Sequence, residues 1–168
     1  MEFSKLVTQR HSVRSYLPNK VEAEKRNSIL EAGRIAPTAA NLQPVKVIVV
    51  EEESNLARLG KAANIYGAPL AFIVCADQNI AWKRPFDDKQ TTDIDASIVT
   101  DHMMLQAEEL GLGSVWICYF KPDILKVEFS IPDNLQAVNI LAVGYSDETK
   151  VPEKIRKSME QFAFFEQL

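Results

Sequence analysis

Two short stretches near opposite ends of the chain carry residue types suited to gripping an anion. The first is Arg10-His11-Ser12-Val13-Arg14. If the chain is extended there, Arg10, Ser12 and Arg14 point to one side, because strand side chains alternate. Two guanidinium groups, each a rigid fork of permanently charged donors, and one hydroxyl would then converge on a phosphorylated or carbonyl-rich ligand edge. A solvated basic turn uses the same residues, so this stretch alone leaves both readings open. The second is Pro152-Glu153-Lys154-Ile155-Arg156-Lys157, where Lys154 and Arg156 alternate and could both reach one phosphate. Routine clustering of surface cations is its plain alternative.

A third stretch, Ala36-Pro37-Thr38-Ala39-Ala40-Asn41-Leu42-Gln43-Pro44, is small and proline-bounded. Thr38, Asn41 and Gln43 supply a hydroxyl and amides just ahead of an apolar run, and small residues let backbone approach a flat ligand closely. A simple helix-to-strand connection accounts for it equally. Other candidates are weaker. Asp93, Asp95, Asp101 and His102 are scattered around a helix axis by their spacing, so capping and a solvated face explain them better than a metal. Gly111-Leu112-Gly113-Ser114 is not the GxGxxG of a dinucleotide fold, and no Walker loop occurs. His11 and His102 have no visible Ser or Cys partner, which leaves hydrolase chemistry without support. No catalytic acid, base or nucleophile is assigned.

These residues need a scaffold. The length of 168 residues fits one domain spanning 1–168, and a hydrophobic fraction of 46% supports a core without staples. The formal net charge of −4 gives no reason to expect nucleic acid or an anionic membrane as partner, so any anionic ligand must meet a local cation cluster. Cys75 and Cys118, the two cysteines, lie in apolar runs outside any CxxC spacing. Their spacing fits a reducing compartment, with Cys118 read as a buried structural thiol and, as the alternative, a redox-active one. The start carries no signal-peptide pattern and no apolar stretch reaches the ~20 residues of a membrane span, so a soluble cytoplasmic protein is the expectation.

Leu6 and Val7 begin a short helix that fades near Gln9. From Val21 to Ile35 the spacing of Ile29, Leu30, Ala32 and Ile35 predicts an amphipathic helix stopped by Pro37. Four apolar runs predict buried strands at Val45–Val50, Leu70–Ala76, Ser114–Phe120 and Ala137–Val143. A long helix is predicted from Ile94 to Leu110, capped by Thr92 or Asp93 and ended by Gly111 in a left-handed turn. Ala96, Val99, Met103, Ala107 and Leu110 form one apolar stripe on it, and Ile94, Ile98 and Leu105 a second. Two stripes call for burial against more than one sheet, either deep in the core or against a partner subunit. A shorter helix surrounds Asp123–Val127. Gln78–Gln90, with Trp82, Arg84, Pro85 and Phe86 among charges, reads as a loose excursion of the kind that covers active sites.

In order along the chain, RHSVR, APTAANLQP, ELGLGSVWI, AVGYSDE and PEKIRK resemble the short members of the nitroreductase family, from Arg10 to Arg156. That resemblance implies an α+β fold, a mostly antiparallel central sheet flanked by helices, and an intertwined homodimer with FMN at the interface. It implies that Arg10, His11, Ser12 and Arg14 line the flavin, with Arg10 and Ser12 toward the phosphate and ribityl end and Arg14 near the pyrimidine edge. Lys154 and Arg156 match a second pair of phosphate-binding cations. Pro37, Thr38, Ala39 and Asn41, beside Gln43, match a loop laid on the flavin by the partner subunit, and Cys118 and Tyr119, after Ile117, match the strand end near flavin N5. The implied activity is NAD(P)H-dependent reduction of a small-molecule acceptor, nitroaromatic or quinone, by ping-pong hydride transfer through N5, with the cofactor carrying the chemistry. A dehalogenase-type or flavin-degrading reaction, or a non-enzymatic flavin carrier, are the alternatives on the same scaffold. The sequence departs from the family pattern in having Ala39 and Ala40 where a hydroxyl residue is common, Cys118 and Tyr119 where a small residue is common, and a short stretch before the long helix that implies a reduced lid.

Overall fold

The computed structural model describes residues 2–167. Its scaffold is a four-stranded, wholly antiparallel sheet in the order β1-β2-β4-β3, built from β1 (Val45–Val50), β2 (Leu70–Asp77), β3 (Gly113–Ile117) and β4 (Leu135–Gly144). Every residue of β2 is buried, as a central strand covered on both faces demands. Phe72 and Leu70 point to one face, where they meet Ile29 of α2 (Ala23–Arg34) and Val99, Met103 and Ala107 of α4 (Thr92–Glu109). Ile73 and Cys75 point to the other, against Leu59 of α3 (Glu53–Gly60) and Leu125 of α5 (Pro122–Phe129). A bulge opposite Val74/Cys75 lets Ala137 keep to the second face while Asn139 turns toward α4 and accepts a hydrogen bond from Thr100 Oγ1 at 3.0 Å.

The long helix departs from expectation at its start. Neither Thr92 nor Asp93 caps it; Thr91 precedes it, and its hydroxyl donates to Asp95 Oδ2 at 2.8 Å and lies 3.2 Å from the Trp82 carbonyl. The end follows the sequence pattern. Gly111 has φ +75°, a region that penalises a Cβ, and Leu112 N–H returns to the Ala107 carbonyl at 2.9 Å. Of the two apolar stripes, the first is buried at Ala96, Val99, Met103 and Ala107, whereas Ile94 of the second is exposed and Ile98 and Leu105 only half-buried. The helix thus retains apolar surface that its own sheet does not cover.

Three further differences are local. Helix α3 has only Leu56 and Leu59 as apolar anchors in eight residues, too few to register as a period; packing on α5, with Arg58 and Lys61 both paired to Glu128, holds it. Strand β3 stops at Ile117 rather than Phe120, because Lys121 N–H bonds the Ala62 carbonyl and draws the chain off the sheet. Cys118 therefore lies exposed instead of buried, while burial pushes the Cys75 thiol up to about 11. The stretch 82–91 is not loose: Arg84 N–H bonds the Lys89 carbonyl, Thr91 N–H the Trp82 carbonyl, and Arg84 pairs with Asp87, leaving Phe86 at an exposed tip. Among the described residues no helix is long and apolar enough to cross a membrane.

Candidate functional site

Helix α1 (Phe3–Gln9) ends at Arg10, whose N–H still bonds the Leu6 carbonyl. The chain then straightens and lies against the free edge of β3, with Ser12 bridging Ser114 in parallel and Val13 N–H bonding the Ser114 carbonyl at 2.9 Å. Val13 is the residue driven inward, only 1% exposed, and a Cβ on Gly113 would stand 2.6 Å from its Cγ2. The pleat therefore puts Ser12 and Arg14 on the side opposite Val13. Arg14 lies with its guanidinium carbon 6.0 Å from the ring centre of Tyr66, a residue at φ +57° in the turn before β2. Glu148, just after β4, holds this segment from behind: Oε1 accepts the Arg14 backbone N–H at 2.6 Å and Oε2 lies 3.2 Å from His11 Nε2. Burial, and second to it the charge of Glu148, push the neighbouring Tyr16 hydroxyl far above its ordinary value.

The second basic stretch comes back to the same place. Lys154 donates to the Val7 carbonyl, near the end of α1, at 2.6 Å. Burial lowers the pKa of its ammonium, and the positive charges of Arg10 and Arg156 lower it further, opposed by Glu108. Burial raises the Glu108 carboxyl against the pull of His11, Arg10 and Lys154. Arg10, His11, Lys154 and Arg156, from the two ends of the chain, thus share one electrostatic neighbourhood at the C-terminal end of α4. It holds three permanent or near-permanent cations, which repel one another, against a half-buried Glu108. Such a set is unfavourable alone and favourable around an anion with several acceptor oxygens.

The loop 36–44 sits elsewhere. Asp95, fully buried, accepts the Ala39 N–H at 2.8 Å and fixes the loop to the first turn of α4. Thr38 Oγ1 accepts the Gln43 N–H at 3.0 Å, and Gln43 Nε2 donates to the Asn41 carbonyl at 3.3 Å. Ala40, Asn41 and Gln43 all have positive φ, an uncommon run for residues with a Cβ and a mark of a backbone held by its surroundings. Pro37, Asn41 and Gln43 are exposed, Thr38 and Ala39 half-buried. Asp95 and Glu108 are separated by thirteen positions of one helix, about 20 Å at its ordinary rise. Within one chain this loop and the cation cluster are therefore at opposite ends of α4.

Cys118 and Tyr119 lie beyond the far end of β3, with Tyr119 96% exposed. Tyr119 and residues 60–64 line a cavity of about 300 Å³. Sequence reasoning gave no role to Glu148, Glu108 or Tyr66, and read Asp95 as a capping or solvated-face residue although it is fully buried. Glu148 lies within the AVGYSDE stretch and Tyr66 precedes a glycine in a turn, whereas Glu108 and Asp95 act from outside any motif and leave no spacing to find. Among the described residues, no group of three or more His, Cys, Asp or Glu could hold a metal ion.

Comparison with known proteins bears on this arrangement. The model of the Nitroreductase family matches residues 7–65 and 56–145. A crystal structure of a nitroreductase family protein from Clostridium difficile 630 superposes with a TM-score of 0.95 at 53% identity, covering 100% of both chains. An FMN-dependent nitroreductase from Clostridium difficile has a TM-score of 0.81 at 29% identity, over 97% of this chain and 98% of that one. A protein of Archaeoglobus fulgidus named as an NADH dehydrogenase/NAD(P)H nitroreductase is 31% identical over 157 residues, 89% of this chain and 88% of the relative.

Proposed function

Because this chain belongs to the nitroreductase family, we propose that it is an FMN-dependent oxidoreductase, a homodimer that takes electrons from NADH or NADPH and delivers them to a small acceptor such as a nitroaromatic or quinone. The observation that carries this reading is that Lys154, near the far end of the chain, is tied to the end of α1 through the Val7 carbonyl at 2.6 Å, within the electrostatic reach of Arg10 and Arg156, in an acidic protein of net charge −4. The phosphate of FMN bears close to two negative charges and three acceptor oxygens, which matches that donor set. When bound, FMN supplies the hydride chemistry of the reaction.

The chain's own residues bind and orient. Arg10, Lys154 and Arg156 hold the phosphate, with Ser12 and His11 alongside. Arg14, on the same strip, provides a fixed positive charge where negative charge grows on reduction, which favours that step electrostatically. Backbone just past the end of β3, at Cys118 and Tyr119, would face the ring system. Pro37, Thr38, Ala39, Asn41 and Gln43 act on the site of a second copy, since about 20 Å of helix separates them from their own. The surface that a second copy would cover is present: the half-open second stripe of α4, and a tail in which Ile155, Phe162 and Phe165 are 87%, 77% and 90% exposed.

The test is the visible spectrum of purified protein with one equivalent of FMN, before and after anaerobic NADH or NADPH. Tight uptake, bleaching by nicotinamide and recovery on adding a quinone are expected, with parallel initial-rate lines for a ping-pong route. Protein that takes up no flavin refutes the reading; protein that binds flavin but never bleaches with either nucleotide is a carrier instead.

A further inference from the structure

The segment carrying Arg10, Ser12 and Arg14 is short, lies at a sheet edge and changes partners midway. Val13 N–H is bonded by β3, and Leu17 N–H by the Tyr145 carbonyl beyond β4. Between them the strip passes from one neighbour to the other, and the Arg14 N–H falls in the gap. Among the described residues no backbone carbonyl meets it. A carboxylate oxygen does, Glu148 Oε1 at 2.6 Å. The other oxygen of the same carboxylate reaches His11 Nε2 at 3.2 Å, across three residues of the strip. Glu148 is itself fixed: its N–H donates to Ser146 Oγ at 3.0 Å, and the flanking Asp147 N–H bonds the Ser15 carbonyl at 3.0 Å.

We infer that Glu148 is a positioning residue of the cofactor site, whose bridging carboxylate sets the backbone from which Arg10, Ser12 and Arg14 reach the ligand. The inference rests on the functional reading above and deepens it. A bridge of this kind acts through geometry. One carboxylate takes the place of the backbone acceptor that Arg14 N–H lacks and holds the His11 side chain with its other oxygen, and a shift of about 1 Å in a binding strip is enough to spoil several contacts at once. The side chain of His11 is turned toward Glu148 and, through Nδ1, toward the Gln9 carbonyl at 3.3 Å. His11 is accordingly the second point of this tether, beside the residues that reach the ligand.

Two measurements test it on Glu148→Ala, Glu148→Asp and Glu148→Gln in the full-length protein. The first uses no cofactor: amide hydrogen exchange at Arg14 in the flavin-free protein is expected to rise at least tenfold in the Ala and Asp variants and to stay within about threefold of wild type in Gln, whose amide oxygen still accepts that N–H. The second is FMN affinity by fluorescence titration well below the melting temperature. It is expected to fall about tenfold or more in Ala and Asp and to be largely rescued in Gln. Faster exchange with unchanged FMN affinity in Ala and Asp would make Glu148 structural only and overturn the inference. Unchanged exchange overturns it directly. If Ala does not fold, the contrast of Asp with Gln decides. Wild-type protein that binds no FMN, with the exchange pattern as expected, would instead remove the functional reading and the inference with it.

Discussion

Replacing Lys154 by Met removes a charge while keeping a stem of similar length against the end of α1. The ammonium has three donors, of which the structure commits one to the Val7 carbonyl at 2.6 Å. The other two are available to a phosphate. An ion pair at ~4 Å is worth ~4 kcal/mol at the effective dielectric of a protein surface and ~1 kcal/mol in bulk water. Half-burial puts Lys154 between those limits, so ~2 kcal/mol is expected, about thirtyfold in the FMN dissociation constant. The effect on the flavin-free protein has the opposite sign. Burial and the charges of Arg10 and Arg156 hold the ammonium pKa below its ordinary 10.5, so the charged form is disfavoured by folding. The flavin-free Lys154→Met variant should then melt no lower than wild type near neutral pH. In wild type the cost of that charge fades as pH rises through the lowered folded pKa toward 10.5, and the difference from the variant should narrow there. Fluorescence titration at low salt, repeated at about 0.5 M salt where screening shortens to a few ångströms, separates charge from packing. Unchanged FMN affinity together with a melting temperature lowered by several degrees would refute the reasoning and make Lys154 a tail tether.

The remaining expectations test the other supports of the site. Gly113→Ala places a Cβ 2.6 Å from Val13 Cγ2 and should cost about 1–3 kcal/mol of stability by thermal melting, with weaker FMN binding because the strip 10–14 must move; a variant with wild-type melting and binding would show that the strip gives way freely. Glu108→Gln follows from a carboxyl raised above 4.5 by burial. Such an acid holds its proton longer folded than unfolded, so wild type loses stability as pH climbs from 4.5 through the folded pKa. The Gln variant escapes that loss and should melt at or above wild type near neutrality, with no advantage below pH 4.5, while binding FMN more tightly; weaker FMN binding would show that Glu108 orients the cations rather than competing for them.

Elements with a strong period are legible in the amino-acid sequence itself. Buried apolar runs mark the four strands, α2 and α4, and one residue that must adopt positive φ marks the stop at Gly111. The family pattern identifies the sheet as antiparallel where periodicity does not. Helix α3 escapes because tertiary contacts rather than its own period hold it. The end of β3 is misplaced because a hydrogen bond from Lys121 to Ala62, about sixty residues back, decides where the strand leaves the sheet. In the site, the cations are found because Arg and Lys at alternating positions are a local pattern. The carboxylates that order them are not, since Glu148, Glu108 and Asp95 act across 134, about a hundred and 56 positions respectively and carry no signature until the chain is folded.

Helix α4 connects these pieces into one physical requirement. At its last turn Glu108 faces the cations; at its first, Asp95 holds a loop whose backbone is strained at Ala40, Asn41 and Gln43. A rigid helix cannot bring its ends together, so a ligand contacted by both must lie between two copies. An antiparallel pairing of α4 with its twofold mate, through the stripe left open at Ile94, Ile98 and Leu105, would set the Asp95 end of each helix beside the Glu108 end of the other. The same pairing would cover apolar surface and complete two equivalent sites at once. Under that pairing flavin binding and subunit association would be coupled equilibria, each strengthened by the other, because a ligand held by both copies would stabilise only the assembled state.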